Sequence, residues 1–206
     1  MILDRATIRN LELVSNAYSG GIEGSLFSVL NRTNTRMGTR LLYSWVLNPL
    51  INKKEIDERL HVVEKFFENE NVLNEVREKL DGINDIERIV GKIGLNRVNA
   101  RDIKALEESL LNSIEILELA EKKLKIKEKD LDRDFFNELA KKINRTFVED
   151  PPLVITEGGI INKGFNDEVD RLRSLSGDSK EWLKEFEEKE KKETGIPSLK
   201  IGFNNV

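Results

Sequence analysis

The chain has 206 residues, 38% of them hydrophobic and 35% charged, with a formal net charge of −4 and no cysteine. This composition predicts a soluble, cytoplasmic protein, and it excludes a disulfide framework and any apolar run near the ~20 residues that cross a bilayer. The acidic balance argues against nucleic-acid binding spread over the whole surface, but it leaves room for DNA contact through a local patch.

Helical periodicity dominates the first part of the chain. The pattern predicts a short helix or turn over residues 4–13, a loop over 15–24, and helices over Ser25–Leu30 and Gly38–Leu47. The helix that ends at Asn48-Pro49 is predicted to turn four apolar side chains inward, namely Leu41, Leu42, Trp45 and Val46.

An amphipathic helix is predicted over residues 53–69, followed by helices over 71–80 and 84–94. The apolar positions of the helix over 53–69 recur at helical spacing and are Ile56, Leu60, Val63 and Phe67. His61 lies on the same helix beside valines, which favours a structural or surface role over metal binding.

The strongest pattern begins at Asn99, a good N-cap residue with Asp102 three positions later. It predicts a helix of about 25 residues, ~37 Å long at 1.5 Å per residue. One apolar face persists along it, formed by Ile103, Leu106, Leu110, Ile114, Leu117 and Leu124. A further helix over 131–147 is predicted to bury Leu131, Phe135, Leu139, Ile143 and Phe147.

The pattern changes at Asp150-Pro-Pro152, where we place a boundary between a helical domain, 1–150, and a second part, 151–206. Two β-rich runs, Leu153–Thr156 and Ile160–Ile161, flank Glu157-Gly-Gly159 and predict a short hairpin.

A long helix is predicted from Phe165, with an apolar face that ends at Phe186 and a fully charged continuation to Thr194. A break at Ser176-Gly-Asp178 is the alternative to one continuous helix. The apolar positions are Val169, Leu172, Leu175, Trp182 and Phe186, and both tryptophans, Trp45 and Trp182, are expected to pack in the core.

Gly195 and Pro197 end this helix, and alternation at Leu199, Ile201 and Phe203 predicts a terminal strand over 199–206. Because a lone strand leaves its backbone groups unpaired, we interpret the chain as cut within a domain. The predicted fold is therefore mainly α: a multi-helical core/lever bundle with a short β-hairpin and a long projecting helix that ends in a strand.

No catalytic, cofactor-binding or metal-binding residue is predicted. The glycine-rich loop Ser19–Gly24 lacks the lysine and hydroxyl residue of a phosphate-binding loop, and one histidine without cysteine nearly excludes a His/Cys metal site. Acid pairs such as Asp167/Glu168 and Glu187/Glu188 stand on charged helices, where carboxylates are normally solvated or paired.

Five lysines lie on or after the projecting arm, and they allow two interpretations. Interleaved acids favour a solvated face, whereas the position at the far end of an arm favours contact with a phosphate backbone. The candidate DNA-backbone contacts are Lys184, Lys189, Lys191, Lys192 and Lys200.

Ordered segments of the chain resemble the middle of the MutS family of DNA mismatch-repair proteins, and the resemblance covers essentially the whole chain. Each motif is modest alone, but their order and spacing are specific. The segments are LDRATIRNLEL (3–13), SLFSVL (25–30), TRMGTRLLYSWVLNPL (35–50), ITEGGIINKGFNDEVDRLR (155–173) and TGIPSLKIGFNNV (194–206).

The resemblance implies a lever domain and the first part of a clamp that closes over double-stranded DNA. For the full-length parent it implies a DNA-dependent ATPase with ATP and Mg²⁺, a homodimer, mismatched double-stranded DNA as ligand and a MutL-type partner. The mismatch-reading domain, the ATPase domain and the return of the clamp are missing, so this chain is expected not to be an enzyme and to bind duplex DNA weakly or not at all.

Two other functions are weighed beside this one. The amphipathic repeats also allow a non-enzymatic helical scaffold or protein-interaction module whose arm binds a partner helix, although the lone terminal strand does not suit it. A hydrolase that uses carboxylates is the weakest alternative.

Overall fold

The computed structural model describes residues 2–128 and 131–201, and within the last helix it describes the backbone but not the side chains of residues 176–181, 184 and 185. The chain divides into two compact units, Met1–Ile160 and Ile161–Val206. The domain limits expected from the sequence, 1–150 and 151–206, stay a prediction.

The described residues are mainly helical, as predicted, and they contain no continuous β-strand. A π-helical turn, Ala120–Leu124, and a 3₁₀ turn, Ile155–Glu157, accompany the α-helices. The helices are α1 (Arg5–Asn10), α2 (Leu26–Leu30), α3 (Arg36–Leu47), α4 (Lys53–Phe67), α5 (Glu70–Asp81), α6 (Ile86–Gly94), α7 (Ala100–Leu119), α8 (Arg133–Thr146) and α9 (Asp167–Thr194).

The start of α7 is fixed by the predicted capping residues. The Asn99 side chain accepts a hydrogen bond from the Asp102 N–H at 2.8 Å, and the Asp102 carboxylate accepts one from the Asn99 N–H at 3.2 Å. This reciprocal pair satisfies two donors that a helix start leaves without partners. With the π-helical turn, the helical run reaches Leu124, as the apolar face predicts, and it ends at Lys125 in the left-handed conformation (φ 59°).

The core lies where α6, α7 and α8 meet. Its centre is a cluster of four buried side chains, Ile89, Leu106, Leu110 and Ile143. Partly buried apolar side chains surround this cluster, namely Ile86, Val98, Ile103, Ala105, Phe136, Leu139 and Phe147. The predicted faces of α7 and α8 therefore form this core, and burial of their side chains is its main stabilisation.

The predicted burial of Phe135 is wrong, because its side chain is 57% exposed. Phe136 packs against the core instead. The buried face of α8 is formed by Phe136, Leu139, Ala140 and Ile143, and Phe135, four residues before Leu139, lies at the edge of that face.

A buried ion pair within α7 is linked to α8 by a hydrogen bond from Asn144. Glu107 is 4% exposed, and its carboxylate accepts hydrogen bonds from the Lys104 ammonium at 2.5 Å and from the Asn144 amide at 2.8 Å. A charged group is tolerated at such a site only when it is paired and hydrogen-bonded, and both conditions hold here.

The inward orientation predicted for α3 is wrong at Leu41 and Trp45, and the apolar face of α4 is also exposed at Val63 and Phe67. Exposure is 52% for Leu41, 40% for Trp45, 62% for Val63 and 85% for Phe67. The ring of Trp45 lies against the Arg59 guanidinium, 3.7 Å from the ring centroid, in a cation–π contact instead of the core. Since α3 packs on α2 and α4 packs on α5, their remaining apolar faces stay exposed among the described residues.

The predicted hairpin is also replaced by another arrangement. The first expected strand contains the 3₁₀ turn Ile155–Glu157, and Gly158 and Gly159 have φ values of 73° and 70°. The Ile160 carbonyl accepts its hydrogen bond from the Val148 N–H at 3.0 Å, so the chain pairs with the segment after α8 and not with 153–156. Two prolines before this segment, which lack N–H donors, disfavour a paired strand there.

An ion-pair network connects α3 to the start of α6. Arg40 donates to both oxygens of Asp85 at 2.8 and 2.9 Å and also pairs with Glu87. The hydrogen bonds from Arg40 are the main cause that lowers the pKa of Asp85 from 3.8 to about 2, against the opposing effect of burial.

We expect Arg40→Met to destabilise the protein at pH 7 and to lose this effect in acid. The folded pKa of Asp85 is depressed, so its contribution is complete above pH 3.8 and declines as the pH falls toward 2. Urea denaturation of wild type and variant between pH 2 and pH 7 measures the difference. Arg32→Met, at an exposed arginine outside the network, is the control, and a difference that stays constant down to pH 2 would contradict the role of this pair.

Candidate nucleic-acid interface

The arm of the second unit is α9, a continuous helix of 28 residues, ~42 Å long at 1.5 Å per residue. Its continuity confirms the prediction of one helix without a break at 176–178. Asn166 caps the start by accepting from the N–H groups of Glu168 and Val169, and Gly195 ends it in the left-handed conformation (φ 69°).

Charge along α9 follows the helix dipole. Asp167, Glu168 and Asp170 occupy the first turn, and Lys191 and Lys192 occupy the last. Acids near the N-terminus and cations near the C-terminus both stabilise a helix, so this pattern stabilises α9 at both ends. The lysines at the end of the arm are interleaved with glutamates, including Glu190 and Glu193.

The apolar face of α9 is exposed within the second unit, which corrects the expectation that Trp182 packs in a core. Trp182 is 60% exposed and stacks on Phe186, with the ring centroids 5.2 Å apart. Leu172 and Leu175 are 54% and 55% exposed. The side chains after Phe186 are charged, so the arm ends in a polar segment.

Glu187, one of the acids expected above to be solvated or paired, organises the end of the arm. Its carboxylate accepts from the Lys191 ammonium at 2.5 Å and from the Ile201 N–H at 3.1 Å, and these two hydrogen bonds lower its pKa. The i, i+4 spacing of Glu187 and Lys191 was the available sequence signal. The predicted strand is absent at Leu199–Ile201, and the rest of that strand, including Phe203, lies outside the described residues.

The five candidate lysines differ in their surroundings. Lys191 is held by Glu187, and Lys189 lies 3.9 Å from Glu193. Lys192 and Lys200 are exposed and form no ion pair with any described side chain. The side chain of Lys184 lies outside the described residues. Because Lys192 and Lys200 are exposed and lie outside these ion pairs, they are the best placed for an external anion.

Other chemistry is not found in the described part of the chain. It contains no group of three or more His, Asp or Glu side chains that could hold a metal ion. None of its helices combines the length and apolar character of a membrane span.

Comparison with known proteins decides the family. The sequence model of the family described as MutS domain III matches residues 6–196. The chain belongs to the MutS domain III family. It is 43% identical over 212 residues to the DNA mismatch repair protein MutS of Methanosarcina mazei and 44% identical over 212 residues to that of Acetivibrio thermocellus. Each comparison covers 100% of this chain.

The chain spans 24% of the length of these relatives. The resemblance predicted from the ordered motifs is thereby confirmed. Membership of this family does not favour the independent helical scaffold, and no finding supports the carboxylate hydrolase.

Proposed function

We propose that this chain is the lever of a MutS-type mismatch-repair protein together with the first part of its clamp. The observation that supports this proposal most is the family match over residues 6–196, in which the helical core and the long arm fall in the order expected for domain III. A packed base and a stiff helix of ~42 Å suit an element that transmits displacement between a DNA-encircling clamp and distant domains.

We propose that the arm contributes to clamp closure through phosphate contacts that ignore base sequence. Lys192 and Lys200 are exposed and carry charge that no described acid neutralises by an ion pair. Lysine contacts to phosphates release counterions, so this binding is salt-dependent and carries no mismatch preference of its own.

Recognition of mismatched double-stranded DNA, ATP hydrolysis with Mg²⁺, homodimer formation and binding of a MutL-type partner belong, in this proposal, to the whole parent protein in the cytoplasm. The relatives carry the name of DNA mismatch repair proteins, which supports assigning the chain to that process. The chain itself is proposed to be non-enzymatic.

We expect the 206-residue chain to bind a 30-base-pair duplex weakly at low salt and not measurably at physiological salt. Lys192→Gln/Lys200→Gln should weaken the low-salt binding and reduce the slope of log K against log[salt] by about 1.8, or ~0.9 for each lost phosphate contact. Fluorescence anisotropy with a labelled duplex, with and without one mismatch, measures both quantities.

The matched control is Lys53→Gln/Lys54→Gln, which removes two exposed lysines from the first unit. An equal loss of DNA binding in this control would show that any exposed lysine contributes to binding. That result would contradict a specific contact between the arm and DNA. Tight binding that prefers the mismatched duplex would contradict the proposal that mismatch recognition requires the whole parent protein.

A further inference from the structure

The charge of the first unit is unevenly distributed along the sequence. No Asp or Glu occurs between Glu23 and Glu55, although the chain as a whole carries a net charge of −4. The same stretch contains Arg32, Arg36 and Arg40. It folds into α2 and α3, so α3 brings positive charge to the first unit without any acid of its own.

The start of α3 borders a polar cleft of about 510 Å³, which α6 and the first turns of α7 complete. This volume falls in the roughly 300–1,000 Å³ range of small-ligand clefts. Five charged side chains line it: the cations Arg36, Arg88 and Lys92 and the acids Asp85 and Asp102.

Both acids of the cleft already have cationic partners. Asp85 holds Arg40 through the two hydrogen bonds described above, and Arg40 does not line the cleft. Asp102 accepts from the Lys92 ammonium at 2.6 Å and from the Asn99 N–H at 3.2 Å. Asp85 also caps α6 by accepting from the Arg88 backbone N–H at 3.2 Å. The guanidinium groups of Arg36 and Arg88 therefore donate to neither carboxylate.

Arg36 and Arg88 are exposed, and neither guanidinium has a hydrogen bond or an ion pair with the described part of the chain. Each is attracted at longer range by an acid that another cation already occupies, Arg36 by Asp85 and Arg88 by Asp102. The cleft thus presents two guanidinium groups whose donors are available to a ligand. Guanidinium forks match the oxygens of phosphate in geometry and in charge.

We propose that this cleft binds a phosphate group, which Arg36 and Arg88 hold by charge-assisted hydrogen bonds. The site belongs to the first unit, whereas the arm lysines belong to the second, so it does not depend on the proposed clamp contacts. The phosphate comes either from a free polyphosphate or from a nucleic-acid backbone, and the two sources share this chemistry.

The test is a titration of the 206-residue chain with sodium tripolyphosphate at constant ionic strength, followed by the arginine Nε–H signals in ¹H–¹⁵N spectra. We expect saturable shifts at Arg36 and Arg88. Arg36→Gln and Arg88→Gln should each weaken binding at least about tenfold, the cost of one charged hydrogen bond or more. Thermal unfolding checks that each variant is folded.

Arg32→Gln is the matched control, because Arg32 lies in the same acid-free stretch and is exposed but does not line the cleft. Its affinity should equal that of wild type. Shifts that do not saturate, or an equal loss of affinity in Arg32→Gln, would overturn the proposal by showing general charge attraction.

A competition experiment distinguishes the two phosphate sources. Displacement of tripolyphosphate by a short DNA duplex, both from the wild-type chain and from Lys192→Gln/Lys200→Gln, supports the proposal and identifies a nucleic-acid backbone. Saturable tripolyphosphate binding without displacement supports it and identifies a free phosphate ligand.

Discussion

Leu110→Ala is expected to lower the free energy of unfolding by about 3 kcal/mol, within the range found for buried leucines. Leu110 is 7% exposed and belongs to the central cluster with Ile89, Leu106 and Ile143. Truncation removes apolar contacts to both α6 and α8 and leaves a cavity where these helices meet α7. Urea denaturation followed by circular dichroism measures the change.

The neighbouring residue provides the control for this substitution. Leu111 stands on the same helix and is 40% exposed, so Leu111→Ala makes the same chemical change outside the cluster. We expect a loss below about 1 kcal/mol. Equal effects at the two positions would mean that the α6–α7–α8 cluster is not the main core of the first unit.

Glu107→Ala is expected to cost about 3 kcal/mol, although it removes a charged residue from an acidic protein. The substitution leaves the Lys104 ammonium, whose side chain is 16% exposed, without its carboxylate. It also removes the acceptor of the Asn144 hydrogen bond. An uncompensated charge in a poorly solvated site is the dominant penalty, and urea denaturation at pH 7 measures it.

Two further variants isolate the cause. Glu108→Ala, at the exposed next residue, should change stability by less than about 0.5 kcal/mol. Lys104→Met/Glu107→Leu removes both charges and should recover most of the loss, because no unpaired charge remains. Failure of the double variant to recover stability would contradict the explanation by an unpaired lysine.

Local signals predicted much of this fold. The cap at Asn99 and the glycine end at Gly195 depend on residues within a few positions, so the sequence contains their whole cause. The apolar face of α7 was predicted for the same reason, because its spacing needs no knowledge of other elements.

The predictions that were wrong concern residues whose contacts lie far away in the sequence. The apolar positions of α3 and α4 mark a face but not what covers it, and Trp45 meets Arg59 instead of a core. The hairpin was wrong because the partner of Ile160 is Val148, and alternation alone cannot choose between pairing partners.

In the candidate site, too, local features were predicted and long-range contacts were not. The sequence located the arm lysines, and the i, i+4 pairing of Lys191 was visible in it. The hydrogen bond from Ile201 to Glu187 spans 14 residues, and the Arg40–Asp85 pair spans 45, so neither follows from local spacing. Contacts between residues so far apart in the sequence could not be predicted from local patterns. The same holds for the cleft between α3 and α6, which is known only from the folded structure.

The central claim is that this chain serves as domain III of a mismatch-repair MutS. The most direct measurement is mismatch-dependent DNA binding by a chimera in which this chain replaces the matching region of Methanosarcina mazei MutS, to which it is 43% identical. We expect the chimera to keep the preference of its parent for a mismatched duplex over a matched one. A folded chimera of native size that binds both duplexes equally would contradict the claim.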